Sequence, residues 1–261
     1  MPDRFTVDAE AVALDSPLGH TRSAFLKRSA LGGGALLGAG ALLGVPGVAD
    51  AHKKGRKDKC DDKDNGVTDV QILNYALTLE HLEATFYVQG LQMFSARDLR
   101  RADQVRGAGR RIRSSIYDYL GVIRDHEVEH VATLQAVISS LGGDPVPPCE
   151  YNFATTAFGS ATQFLEVAQL LENTGVSAYD GAIAYVDSPA LQTAGATIAT
   201  VEARHASYLN LVNDTIPFPD AFDTPVAPQA ICETVRTGFI VSCPFDLAAF
   251  CASLPAEVIA P

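Results

Sequence analysis

The residues with the clearest capacity for chemistry are a glutamate and a histidine inside one long apolar pattern. Between Ile116 and Leu141, apolar residues recur at alternating steps of four and three, which predicts the inward-facing seam of a bundle helix. Glu127 and His130 occupy two positions of that seam. Burying a carboxylate and an imidazole without partners is costly, so these side chains need partners in the core. A Glu-x-x-His pair that faces a bundle core can supply metal ligands.

Three further segments carry the same kind of interrupted seam. The spacing of apolar residues predicts helices over about 69–91 and 159–186, and a fourth helix after Ser188 and Pro189. Every one of these seams contains at least one side chain that commonly binds metals. These residues are Glu80, Glu172, Glu202 and His205.

The two halves of the chain match each other. The pair Glu202-x-x-His205 repeats the spacing of the pair in the central helix. Tyr87 follows Glu80 by seven residues, as Tyr179 follows its own seam glutamate. This internal duplication predicts a pseudo-two-fold site between two helical hairpins.

The charge of the site predicts its occupant. Four glutamates gathered in a dry core cannot all stay ionised without compensation. Two divalent cations would balance them, and two neutral imidazoles would complete the ligand set. Carboxylate-rich sites with one nitrogen per ion favour iron or manganese over copper, although zinc would also bind. Glu83, one turn after Glu80 and slightly off the seam, is open to two interpretations, an extra ligand or a solvated surface acid.

A second motif overlaps the central pair. Residues 126–130 match the His-Glu-x-x-His pattern of zinc proteases, in which His126 and His130 would bind zinc and Glu127 would act as the base. That interpretation leaves Glu202 and His205 unexplained and offers no obvious third ligand helix, so we favour the dinuclear centre. His126 falls just off the seam and remains a candidate extra ligand. An ordinary apolar bundle would have to explain six symmetrically placed interruptions.

The connections predict how the helices are joined. The central helix must end at Gly142 and Gly143, because the proline-rich segment 144–149 cannot continue it. Short, long and short connections fit an all-α four-helix bundle made of two hairpins joined by one long crossover. We expect this bundle over residues 67–214, followed by a C-terminal extension, 215–261, that is irregular or helical and contains proline and cysteine.

Composition limits the classes of partner. The chain has 261 residues, of which 47% are hydrophobic, which is ample for a core. Its net charge of −11 argues against nucleic acid as a partner. The arginine-rich stretch 97–113 is therefore interpreted as a solvated turn and the start of the next helix, rather than as a polyanion site.

The N-terminal residues are typical of an export signal. A basic segment that ends at Arg28 precedes a run of Leu, Ala and Gly, and a small-x-small site places cleavage near Ala51. The basic segment resembles a twin-arginine signal, with Ser23 in place of the second arginine. We expect residues 1–51 to be removed, 52–66 to form a charged disordered linker, and no stable membrane span to remain. The protein would then be periplasmic, cell-surface or secreted; an uncleaved anchor is the alternative.

The chain contains five cysteines, which cannot all pair with one another. In an exported protein they favour disulfides, whereas buried free thiols are equally compatible with the sequence for any one of them. Cys60 in the charged linker is the expected unpaired residue, and the sequence does not fix the connectivity of the other four. These are Cys149, Cys232, Cys243 and Cys251.

Two segments carry a resemblance to a known family. Residues 73–87 resemble the first helix of the exported ferritin-like proteins that include the plant desiccation-related proteins, and residues 217–225 resemble their segment after the fourth helix. The resemblance implies a ferritin-like bundle with Tyr87 and Tyr179 as hydrogen-bond donors behind the ligands. The ligands that it implies are Glu80, Glu127, His130, Glu172, Glu202 and His205.

The sequence supports two kinds of function. The first is an exported protein whose dinuclear iron or manganese centre performs redox chemistry on dioxygen or peroxide in stress protection. The second is a non-enzymatic stress- or desiccation-related metal-binding protein. Whether the centre is catalytic is left open, because the fold does not fix the chemistry. A homodimer is compatible with either function.

Overall fold

The computed structural model describes residues 67–259. The predictions for the export signal, the charged linker and Cys60 fall outside these residues. Eight α-helices, one 3-10 turn and two short strands make up the described part of the chain. They are α1 (Asp69–Met93), α2 (Ala96–Leu99), α3 (Asp103–Gly107), α4 (Arg110–Ser140), β1 (Glu150–Tyr151), α5 (Ala161–Ala182), the 3-10 turn (Ile183–Tyr185), α6 (Pro189–Val212), α7 (Pro228–Gly238), β2 (Ile240–Ser242) and α8 (Leu247–Ala252).

Polar caps begin three of the four long helices. At the start of α1, the Thr68 side chain accepts a hydrogen bond from the Gln71 backbone, and the Gln71 side chain accepts one from the Thr68 backbone. Ser160 and Ser188 cap α5 and α6 in the same position. Just after the C-terminal end of α4, Gly142 adopts a positive φ of 78°, which lets the chain turn away from the helix.

The four long helices form the predicted all-α four-helix bundle of two hairpins, in which α1 packs mainly on α4 and α5 packs mainly on α6. The Asp69 carboxylate accepts hydrogen bonds from the backbones of Asp187 and Ser188, so α1 and α6 begin at the same end of the bundle. Asn74 of α1 bonds the backbones of Asp144 and Val146, so α4 ends there as well.

The crossover from α4 to α5 then runs the length of the bundle. The helix α4 has 31 residues and is therefore about 46 Å long at ~1.5 Å per residue. Residues 141–160 carry the chain back beside it, and α5 begins where Phe164 packs against the last turns of α1. The long crossover predicted from the proline-rich segment is present.

The first connection is longer than the sequence suggested. Residues 94–109 form the short helices α2 and α3 instead of a simple turn, because Leu99, Ala102 and Val105 are buried against the bundle. All seven arginines between positions 97 and 113 are exposed, as expected for a solvated stretch.

Two disulfides hold the C-terminal extension together. Cys149 pairs with Cys243, which ties the crossover to the extension beside the antiparallel pairing of β1 with β2. Cys232 pairs with Cys251 and joins α7 to α8. The small strand pair was not predicted, because neither strand exceeds three residues. Within residues 67–259, no helix is both long enough and apolar enough to cross a membrane.

Candidate metal centre

All six predicted ligands lie together in the middle of the bundle. The side chains of the four glutamates are fully buried at 0% exposure, and His205 is 5% exposed. The His130 side chain is 12% exposed and is the most accessible of the set. Each glutamate comes from a different long helix, and the two histidines follow the glutamates of α4 and α6 by one turn.

The six side chains form two overlapping groups, each able to offer ligand atoms that lie within 4.8 Å of one another. One group contains Glu80 and His130, and the other contains Glu172 and His205. Both groups also contain Glu127 and Glu202. Each group therefore has three carboxylates and one imidazole, and the two shared carboxylates lie between the histidines.

The Nδ1 atoms of both imidazoles point at these carboxylates. His130 Nδ1 lies 3.1 Å from Glu202 Oε1 and 3.2 Å from oxygens of Glu80 and Glu127. His205 Nδ1 lies 3.0 Å from Glu127 Oε1 and 3.2 Å from Glu172 Oε2. The arrangement is pseudo-symmetric, as the duplicated Glu-x-x-His spacing predicted.

Each of the two tyrosines bonds a glutamate of the opposite hairpin. The Tyr87 hydroxyl donates to Glu172 Oε1 at 2.6 Å, and the Tyr179 hydroxyl donates to Glu80 Oε1 at 2.5 Å. Both tyrosines are buried. These bonds orient the two carboxylates that are not shared, and they leave the Oε2 atoms of these carboxylates facing the imidazoles.

His126 does not join either group. It lies at the surface of α4, and its Nδ1 is 2.9 Å from Nε2 of His205, with the two rings stacked at a centroid distance of 5.2 Å. The zinc-protease interpretation requires His126 and His130 to bind one ion, and the structure turns these two rings to different partners. A contact to the outer nitrogen of a ligand histidine fixes its tautomer and orientation.

Glu83 is buried, so its interpretation as a solvated surface acid is wrong. Only 4% of the residue is exposed. Its carboxylate fits beside Gly175 of α5, where a Cβ atom would lie 3.3 Å from Glu83 Oε1 and 3.6 Å from Glu202 Oε2. Gly175 follows Glu172 by three residues, as Glu83 follows Glu80. The two hairpins therefore differ at this position: the first has the carboxylate of Glu83, and the second has Gly175, which leaves the space that the carboxylate occupies.

Burial raises the pKa of three of the carboxyl groups. It raises the pKa of Glu80 to about 8, against the lowering effect of the His130 charge. Burial also raises the pKa of Glu172, and burial together with the charge of Glu202 raises that of Glu83.

The two shared glutamates behave differently. Burial would raise the pKa of both, but the adjacent imidazolium groups of His130 and His205 outweigh it, which lowers the pKa of Glu127 and brings that of Glu202 to about 2. The four buried glutamates therefore do not shift together, as their shared burial alone would suggest. Burial would lower the pKa of both imidazoles, but the surrounding glutamates outweigh it. They raise the pKa of His130 and bring that of His205 to about 12.

These pKa shifts predict a metal-free centre in which two imidazolium ions balance the two shared carboxylates, while Glu80 and Glu172 keep their protons. Even so, among the described residues, Glu127 Oε1 and both oxygens of Glu202 are buried and accept no well-formed hydrogen bond, although imidazole nitrogens lie 3.0 and 3.1 Å from two of them. Orphaned carboxylate oxygens in a dry core are costly, and a cation between them would satisfy them. The donor set thus fits two divalent ions that share Glu127 and Glu202.

Comparison with known proteins agrees with this architecture. The family model described as a ferritin-like domain matches residues 68–214, which include all four long helices and every residue of the centre. The chain belongs to the ferritin-like domain family. A search among curated proteins finds no match to the chain. The resemblance drawn from residues 73–87 is confirmed at the level of this family.

The sequence alone missed two features of this ferritin-like centre. It did not show that His126 contacts His205, since that contact joins helices from different hairpins. It also did not show that Glu83 is buried. The visible signal was Gly175 on the seam of α5, because a glycine in a helix seam leaves room for a large side chain from another helix.

Proposed function

We propose that this ferritin-like protein binds two iron or manganese ions and uses them for redox chemistry on dioxygen or peroxide. The observation that carries the proposal is the pair of fully buried glutamates, Glu127 and Glu202, whose unpartnered oxygens lie between the two groups of ligands. Carboxylates with one imidazole per ion suit iron and manganese.

The burial of the centre limits its substrate to a small molecule. Four ligands are fully buried, and the most exposed, His130, is only 12% exposed. A bound metal pair would supply reversible one-electron steps at each ion. The role of the chain is to hold the carboxylates with Tyr87 and Tyr179 and to exclude bulk water. A buried centre of this kind favours a small oxidant, such as a molecule of two to four atoms.

The experiment compares metal loading and activity in two matched variants of α4. Glu127→Gln removes a shared carboxylate, whereas Glu129→Gln changes an exposed glutamate on the same helix. We expect the protein with Glu129→Gln to retain peroxide dismutation and oxidation of bound Fe(II), and the protein with Glu127→Gln to lose both together with metal. Full metal binding without any turnover would instead favour the non-enzymatic stress-related metal protein.

We also propose that the protein is exported. Supporting this, four cysteines of the described residues form two disulfides, which persist in oxidising compartments and are rare in reducing ones. A reporter fused after residues 1–55 should leave the cytoplasm, and Arg22→Lys should reduce export if the twin-arginine route is used. A reporter that stays in the cytoplasm would refute the proposal.

A further inference from the structure

The connection between α6 and α7 presents an exposed aromatic surface, which we call the aromatic loop (residues 214–225). It contains neither helix nor strand, and Phe218 and Phe222 are 77% and 89% exposed. Three more large apolar side chains beside them are exposed, namely Ile216, Leu170 and Leu211. Contiguous exposed apolar surface that includes aromatic rings marks an interaction site more often than scattered apolar residues do.

The aromatic loop is fixed at both of its ends. The Thr215 hydroxyl accepts a hydrogen bond of 2.8 Å from the Gln169 side chain of α5. The Val226 backbone, just after the loop, donates one of 3.1 Å to the Ser177 carbonyl of the same helix. Prolines on both sides of Phe218 further restrict the backbone. Because little conformational freedom is left to lose, binding through this loop carries a low entropic cost.

The charges of the aromatic loop select the chemistry of its partner. Asp214, Asp220 and Asp223 are exposed, and residues 214–225 contain no basic side chain. Within residues 67–259, none of these three aspartates forms an ion pair. Guanidinium groups bind carboxylates through two parallel hydrogen bonds and also stack on aromatic faces. Aspartates interleaved with phenylalanines therefore suit a partner surface that is rich in arginine.

The same chain carries such a surface, the arginine segment (residues 97–113). Histidine aside, residues 67–259 contain ten basic side chains, all of them arginines, and seven of the ten lie in this segment. All seven are exposed, and in the described structure only Arg106 pairs with a carboxylate, that of Asp103 in the same segment. The arginine segment is thus a concentrated positive surface on a chain whose net charge is −11.

The two surfaces lie side by side at one end of the bundle. The Gln104 side chain, inside the arginine segment, donates a hydrogen bond of 2.8 Å to the side chain of Asn213, the residue before the aromatic loop. In a two-fold symmetric dimer, a surface that contacts a second surface on the partner is itself matched by the reciprocal contact. Two adjacent and complementary surfaces therefore satisfy each other twice when two copies meet at this end.

We propose that the aromatic loop and the arginine segment form the interface of a two-fold dimer of this protein. A second copy fits both surfaces, because its arginines meet the aspartates and phenylalanines while its own loop meets the arginines. A nucleic acid or an anionic lipid surface would attract the arginines but would be repelled by the adjacent aspartates. The inference does not depend on the proposed redox function, since the metal centre lies in the middle of the bundle.

The test measures the oligomeric state of the purified protein by sedimentation velocity. The natural protein should form a dimer that dissociates as the NaCl concentration rises, because exposed ion pairs are screened by salt. Two double variants reverse one surface each: Arg100→Glu with Arg101→Glu, and Asp220→Arg with Asp223→Arg. Each should raise the dissociation constant of the dimer at least about 100-fold, because like charges then face each other at two places. An equimolar mixture of the two variants should dimerise again, since each surface then meets the opposite charge.

Matched controls reverse exposed charges outside the two surfaces. Arg204→Glu on α6 and Glu129→Arg on α4 should leave the dissociation constant unchanged, and thermal unfolding checks that every variant is folded. A natural protein that is monomeric at every salt concentration would overturn the inference. So would a dimer that survives both charge reversals, or a mixture of variants that stays monomeric. Binding of the natural monomer to anionic lipid vesicles, lost on Arg100→Glu with Arg101→Glu, would make a lipid surface the occupant and would overturn it as well.

Discussion

Loading the centre with two divalent ions at pH 7 should release about four protons per chain. In the metal-free state, the raised pKa values keep protons on His130, His205, Glu80 and Glu172. Metal binding requires deprotonated carboxylates and neutral imidazoles, so all four protons must leave. The shared glutamates release none, because their pKa values are lowered.

The magnitude follows from charge balance. The neutral metal-free centre gives up four positive charges as protons and takes up the four positive charges of two ions. Two protons per ion mean that each apparent binding constant rises about 100-fold per pH unit, as linkage requires. The dependence should weaken above about pH 8, where Glu80 loses its proton without metal.

Calorimetric titration with Mn²⁺ in two buffers of different ionisation enthalpy would count the protons. Glu80→Gln should lower the count by one, provided that two ions still bind. Glu83→Gln should leave it unchanged, since Glu83 belongs to neither group of candidate ligands. A count of five in the natural protein would make Glu83 a ligand, and a count of one or none would refute the charge assignment of the metal-free centre.

Two further predictions concern the protein without metal and the contact between the histidines. For metal-free protein, the free energy of unfolding should fall as pH rises from about 4.5 to 8, because the folded-state pKa of Glu80 is raised from 4.5 to about 8 and its contribution is lost as pH rises through that range. The pKa of Glu202 is lowered to about 2, so its contribution is lost as pH falls from 4.5 toward 2, and urea unfolding should place the maximum near pH 4.5. His126→Ala should weaken one of the two metal sites by about 10–100-fold, because His205 loses the partner that orients it, while Glu129→Ala should leave both affinities unchanged. Equal metal affinities in the two variants, measured by competition with a chelator, would show that the contact has no positioning role.

The sequence predicted the bundle and the grouping of the six candidate side chains because both depend on local periodicity. The seam from Ile116 to Leu141 fixes which way Glu127 and His130 point relative to their apolar neighbours on the same helix. Repetition of that pattern in four segments allowed the hairpins and the shared centre to be predicted together.

The features that the sequence did not predict depend on contacts between helices. The different pKa shifts of Glu127 and Glu80 arise because both imidazoles converge on the shared carboxylates, a geometry that no single helix contains. The burial of Glu83 depends on the space left by Gly175 in the opposite hairpin.

Metal analysis of protein purified from its native host tests the central claim most directly. Two iron or manganese ions per chain are expected, with at least one lost on Glu127→Ala or Glu202→Ala and both retained on Glu129→Ala. A single zinc ion per chain, lost on His126→Ala and unaffected by Glu202→Ala, would contradict the dinuclear centre and restore the zinc-protease interpretation.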